Sequence, residues 1–509
     1  MFRFLIANIL MLAIALVASV AAADTQSATN QESTDWASTF RDDLQAARRI
    51  ILESHPGPVD ALNPGFRDWL DAGYEEQMAL ADSVDTANAY IFGMRRFIGG
   101  FRDGHLGIRF EIDGTPARWP GFFAAWRDDT VVVHNVDPAL VPELTEGDRL
   151  LSCDGQAAEQ LVVKRVFDFQ FDPSLPASWT PAAARAFVDF GNPFVGVPTQ
   201  CVFIRENREF PLDLEWREVS WDDRGDDYSA ARGRTRPEVG LFLPEPGVFW
   251  LQASTFGPNE AQIEKYEEAL QQLREMRATA KLVVLDLRGN NGGSSTWADL
   301  FAEALWDRLP DDNETDTEYV EWRVSAGNIA YWEAVPAILR RQFGDSHSAI
   351  DWSTHVLRNL KASLAEDRDL WRETPVDGDH DSVDAATAGH SDAMAPRYEG
   401  TVVLLTDTTC GSACLDAMSL LTDLPDVVHV GSVTSADTQY MEARPQQLPS
   451  EFATLVIPIK VYRGRMRPDG GYFTPAFQFK GLHWTDEAVR AWVLSLWREG
   501  TLESSELIH

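Results

Sequence analysis

Residues 282–287, Leu-Val-Val-Leu-Asp-Leu, are apolar but for Asp286 and lead without a spacer into Arg288-Gly289-Asn290-Asn291-Gly292-Gly293-Ser294. A run with no polar alternation fits a parallel strand buried on both faces, which needs helices on both sides of its sheet. Helical spacing over 297–306 supplies one of them. The arrangement recurs at 401–405, where an apolar strand runs into Thr406-Asp407-Thr408-Thr409-Cys410-Gly411-Ser412-Ala413-Cys414 and a helix over 413–421. With further strands at 247–253 and 427–430 and a charged helix at 259–279, repeated strand–helix units imply a layered α/β domain.

The two strand-end turns are where chemistry is expected. Glycines let backbone N–H groups point outward, and a helix N-terminus adds a dipole that favours developing negative charge. The first turn lacks the Gly-Lys-Ser/Thr ending and the Gly-x-Gly-x-x-Gly spacing of phosphate-cradling loops. In the second, Ser412 at the mouth of a helix is either a nucleophile beside the Ala413 N–H or a simple helix N-cap.

The chain of 509 residues is long enough for about three domains. Residues 1–23 read as a signal peptide, with Arg3, an apolar run and Ala21-Ala22-Ala23, so export to a periplasmic or extracellular location is expected. Residues 24–34 form a polar linker. Helical periodicity over 35–115 marks an N-terminal helical domain, and its Asp103-Gly104-His105 turn delivers a histidine to the start of a strand. Strand-like patterning over 116–218 marks a β domain, with an insertion over 167–198. The α/β domain spans 219–509 and is interrupted around 309–398, where 376–396 reads as a surface excursion. The net charge of −35 excludes nucleic acid and anionic membrane surfaces as partners. No second apolar run is long enough to span a bilayer. No His-x-x-x-His or His-Glu-x-x-His pair occurs, so neither a metal nor any other cofactor is expected; the acidic group Asp377, Asp379, His380 and Asp381 is the fallback for a metal.

Leu144-Thr145-Glu146-Gly147-Asp148-Arg149-Leu150-Leu151-Ser152-Cys153-Asp154-Gly155 resembles the characteristic stretch of PDZ domains, which bind extended peptides at a sheet edge. Together with Asp-Leu-Arg-Gly-Asn-x-Gly-Gly at 286–293 and the Thr-x-x-Gly-Ser-Ala turn at 408–413, it gives a chain that resembles the tail-specific, or C-terminal processing, serine proteases. The resemblance implies a ClpP/crotonase-like core, Ser412 as nucleophile, and the N–H groups of Ala413 and of Gly292 or Gly293 as oxyanion hole. It departs from the best-known branch, whose general base is a lysine in the segment that here reads Val430-Gly431-Ser432-Val433-Thr434-Ser435-Ala436-Asp437-Thr438-Gln439-Tyr440. No lysine lies between Lys361 and Lys460, and Lys460 reads as an edge-strand residue. The chain is more similar to the tricorn-like branch, in which a histidine before the PDZ-like module activates the serine and an acid near the C-terminus assists it. That resemblance implies His105 as base and Asp469, in Arg467-Pro468-Asp469-Gly470-Gly471, as acid; an Asp-Gly turn residue is the plain alternative for Asp469.

The expected function is therefore an exported serine peptidase acting on peptides or proteins. A non-catalytic binding protein on the same scaffold, or an esterase or amidase, is the alternative. In a PDZ-like sheet the strands carrying Cys153 and Cys201 are expected to be neighbours, so a disulfide between them is anticipated, worth about 3–4 kcal/mol in the chain-entropy model. Cys410 and Cys414 are expected to be reduced, because a bridge there would strain the helix that carries the nucleophile.

Overall fold

The computed structural model describes residues 34–306, 318–343, 348–374, 398, 400–422, 424, 426–465 and 467–503. The expected signal peptide, most of the linker, the 376–396 excursion and the fallback metal residues lie outside them. Among the described residues no helix is long and apolar enough to cross a membrane.

The catalytic-domain expectation centres on a six-stranded sheet in the order Gly240–Phe242, Val248–Gln252, Leu282–Asp286, Thr401–Thr406, Val427–Gly431, Phe477–Gln478. All neighbours pair in parallel except the first two. The unbroken apolar runs are explained by burial on both faces. Phe249, Leu251, Val283, Leu285, Val402 and Leu404 pack against Tyr266, Phe301 and Met418 of the helices Glu260–Met276, Thr296–Trp306 and Ala413–Leu421. The alternate residues Val248, Trp250, Val284 and Val403 pack against Val489 and Val493 of Asp486–Arg498. Asp286 is tolerated in this core because Arg288 grips both its oxygens, at 2.8 and 2.6 Å, and Trp250 donates to it at 3.0 Å.

A second, five-stranded sheet joins Gly107–Phe110, Ala453–Arg463, Tyr319–Arg323, Leu370–Arg372 and Tyr440–Gln447. The N-terminal helices Trp36–Ser54, Pro64–Leu80 and Ala87–Gly99 share one apolar core with it. Within the stretch expected as an insertion, the described residues supply two of these strands and the helices Ala326–Phe343 and Ser348–Ala365, closed over Trp322, Trp332 and Trp352. Ion-paired charges in the strand Tyr319–Arg323 and Pro336 inside a helix hide this order from apolar periodicity. Lys460 is not at a sheet edge: its strand is paired on both sides, and the buried ammonium meets Glu442 at 3.2 Å. The rings of Trp322 and Tyr462 flank the same ammonium.

A separate antiparallel sheet runs Phe122–Arg127, Thr130–Val136, Arg149–Cys153, Gln200–Arg205, Arg208–Asp213. Cys153 and Cys201 lie opposite one another in register and form a disulfide. Cys410 and Cys414 are also disulfide-bonded, contrary to expectation. The helix begins only at Ala413, so Cys410 belongs to the preceding turn and the bridge, with a Cα–Cα distance of 5.3 Å, spans the turn without distorting the helix.

Candidate active site

The strands Leu282–Asp286 and Thr401–Thr406 are adjacent, so their turns meet at the same sheet end. Asp407 ties them: its carboxylate accepts the Gly289 N–H at 3.0 Å and the Thr409 N–H at 2.9 Å. Burial pushes the Asp407 carboxyl up to about 6 against the pull of those hydrogen bonds and of Arg288. Asn290 fixes the glycine turn, donating to the Ala253 carbonyl at 2.7 Å and accepting the Gly292 N–H at 2.9 Å. Asp407 and Asn290 were not singled out by the sequence reasoning. Their signal was the short spacing that lets an Asp or Asn side chain accept an N–H two residues on.

Ser412 is half-buried, with φ 54° and ψ −124°, a conformation that side-chain-bearing residues rarely adopt. Its side chain makes no capping hydrogen bond to the helix it precedes. The N-cap alternative is therefore set aside, and the strain is held in place by the turn around it. A β-carbon built on Gly292 would lie 2.7 Å from Cβ of Ser412 and 3.0 Å from the Ala413 nitrogen, so only glycine allows this approach. Among the described hydrogen bonds, Gly292 N–H is taken by Asn290, whereas Ala413 N–H and Gly293 N–H have no acceptor.

The turn carrying His105, in the N-terminal region, lies against the segment 436–438. A β-carbon on Gly411 would lie 3.7 Å from Cβ of Ser435, and one on Gly104 would lie 3.8 Å from the Ala436 carbonyl oxygen. The turn carrying His105 is braced by Asp103. One Asp103 oxygen accepts the His105 N–H at 2.9 Å and the Thr438 hydroxyl at 2.8 Å; the other meets His55 Nε2 at 3.0 Å. His55 Nδ1 accepts the Gly57 N–H at 2.9 Å, and burial holds the His55 imidazole below its ordinary value. Ser412, Ala413 and Gly292 are thus within contact distance, Gly293 follows in the same turn, and Gly104, next to His105, lies against the segment 435–438 that also neighbours Gly411.

Asp469 is exposed and accepts the Gln439 N–H at 2.8 Å. The helix Ala413–Leu421 is anchored by Asp416, which accepts from Ser295 at 2.8 Å and from Arg467 at 2.9 Å, and also from Arg465. Arg467 also grips Asp437. Burial pushes the Asp437 carboxyl up, opposed first by Arg467 and then by His105. Among the described residues no group of three or more His, Cys, Asp or Glu side chains forms a metal-sized cluster.

Ser412, at φ 54°, stands beside the N–H groups of Ala413 and Gly293, an arrangement able to hold a developing negative charge. The α/β core is that of a serine-type peptidase, a hydrolase. Residues 249–466 match the model of peptidase family S41. Two solved structures, mature CPAF and mature CPAF complexed with lactacystin, superpose with a TM-score of 0.60 at 13% and 14% identity. They cover 92% of this chain and 97% and 98% of their own, so the likeness in fold extends over most of the chain. The photosystem II D1 C-terminal processing protease is also similar, at 12% identity and a TM-score of 0.33, covering 87% of this chain and 93% of its own. No curated protein matches the sequence.

Proposed function

We propose that this chain is an exported peptidase that cleaves peptide bonds with Ser412 as nucleophile and His105 as general base, as in the tricorn-like arrangement. The Ser412 Oγ attacks the substrate carbonyl carbon while its proton passes to His105 Nε2. The oxygen that becomes negative is held by the Ala413 N–H and a second amide of the glycine turn, Gly293 in preference to Gly292, whose N–H is engaged. His105 then returns the proton to the leaving amine. Water, deprotonated by the same imidazole, releases the acyl group and regenerates Ser412. Asp469 contributes by fixing the segment 437–439 that faces His105.

The observation that carries the reading is Ser412 itself: a non-glycine residue at φ 54° with no capping bond, against a glycine that tolerates no side chain. Strain of this kind persists only where surrounding structure enforces it. The antiparallel unit over 116–218 acts in this reading as the PDZ-like module, presenting extended peptide to the core. The test is hydrolysis of a peptide library by the purified chain, wild type against Ser412→Ala. Release of new N-termini by the wild type alone supports the proposal. Equal release by both, or by neither, refutes it.

A further inference from the structure

We infer that Asp437, rather than Asp469, is the carboxylate that accepts the Nδ1–H of His105 and holds the imidazole for Ser412. The inference rests on the Ser412–His105 reading above.

The segments 103–105 and 436–438 lie against each other on both sides of Asp437. On one side Gly104 abuts the Ala436 carbonyl oxygen; on the other, a single Asp103 oxygen takes both the His105 N–H and the Thr438 hydroxyl. Asp437 is 5% exposed, and its Oδ1 is held by Arg467. Its Oδ2 is buried with no partner, and so is Nδ1 of His105. One atom is an acceptor and the other carries a proton in the tautomer a general base needs. A buried polar atom left alone is costly, and pairing the two removes both costs.

Of the other buried carboxylates near His105, Asp103 is fully engaged and Glu442 keeps one oxygen without a partner. Both oxygens of Asp103 are occupied by His55, Thr438 and the His105 backbone. Glu442 has one oxygen on Lys460 and one unpartnered, and it belongs to the buried lysine cluster of the second sheet. Asp469 lies outside, on the Gln439 N–H, and the neighbouring Gly470 N–H donates to the Asp437 carbonyl at 2.9 Å. The Asp469 turn therefore braces the residue that does the orienting. The charged groups facing Asp437 are the guanidinium groups of Arg467, in direct contact, and Arg465, the carboxylates of Asp416 and Asp469, and the imidazole of His105. As Ser412 gives its proton to Nε2, the imidazolium keeps its Nδ1–H on Asp437 Oδ2, and Asp437 stays ionised throughout.

The experiment compares Asp437→Asn, Asp437→Glu, Asp469→Asn and Glu442→Gln with the wild-type full chain, reading kcat and KM on a p-nitrophenyl acyl ester. A fluorophosphonate probe measures the rate of labelling at Ser412 in parallel. Asp437→Asn is expected to lower kcat by roughly 10³–10⁴-fold with KM little changed. Asp437→Glu should recover a substantial part, and the other two variants should lose less than about tenfold. Full turnover by Asp437→Asn, or a loss in Asp469→Asn or Glu442→Gln as large as its own, overturns the assignment. A wild-type chain that is not labelled at Ser412 instead removes the reading on which the inference rests. Because Asp437→Asn breaks a buried ion pair, a crystal structure of the wild type phosphonylated at Ser412 gives a measurement independent of folding. Nδ1 of His105 and Oδ2 of Asp437 within about 2.6–3.2 Å supports the assignment, and a separation beyond about 4 Å overturns it.

Discussion

At the scale of single residues, the site is a set of side chains and amides that work only together. Ser412→Ala and His105→Ala should each abolish acyl hydrolysis to a similar residual level, and the double variant should lose no more, because groups acting as a unit are non-additive. Comparable steady-state rates for all three variants check this. Gly292→Ala places a methyl 2.7 Å from the Ser412 Cβ, and its φ of 102° is itself unfavourable for alanine. A loss of at least about 1–3 kcal/mol in urea unfolding and of activity together is the expected outcome. Asp407 gives a prediction in pH. Its folded carboxyl titrates at about 6 against 3.8 when unfolded, so the folded state holds the extra proton between those values. The contribution of Asp407 to stability is therefore full below about 3.8 and is lost as pH rises through about 6. Asp407→Asn should remove that slope from urea unfolding measured at pH 4, 5, 6 and 7. The two turns that carry Ser412, Ala413 and the glycine pair were legible in the sequence, because in each a buried strand, a glycine turn and a helix follow in register. Asp437 was not, because only the fold sets the segment 436–438 beside a turn more than three hundred residues earlier.

At the scale of elements, the strand–turn–helix units were legible to within a residue or two, since burial on both faces leaves no polar alternation to misread. The helix Ala413–Leu421 matches its expected bounds, and the strand Val427–Gly431 differs from its expectation by one residue. What misled was the cysteine pair: helical spacing of four implied a strained bridge, whereas Cys410 lies ahead of the helix and its disulfide closes the turn that holds Ser412. Cys410→Ser with Cys414→Ser should cost about 2 kcal/mol in the chain-entropy model for so short a loop. It should also lower kcat, since the nucleophile's backbone loses a constraint. Differential scanning calorimetry and turnover on the same samples check both. Unchanged activity with lowered stability would show the bridge to be structural only. Lys460 illustrates the opposite failure. A lone lysine in an apolar run reads as an edge residue, but Glu442 and two aromatic rings let a central strand carry it.

At the scale of the whole molecule, a helical region, an antiparallel sheet unit and two further sheets are arranged so that residues from both ends of the chain meet at one strand end. Length and periodicity conveyed the α/β core and the helical start. They did not convey that 319–323 and 370–372 complete a sheet with 107–110, because pairing across such distances leaves no local pattern. The net charge of −35 spreads self-repulsion over the folded surface. Roughly 0.5–1 M salt should raise the thermal midpoint by screening it, and a midpoint that falls on salt addition contradicts that account. In the proposed function this architecture activates one serine, Ser412. Intact mass and peptide mapping after treatment with a fluorophosphonate test it directly: a single adduct on Ser412, absent after His105→Ala, is the predicted result, and a protein that stays unmodified or carries its adduct on another residue contradicts it.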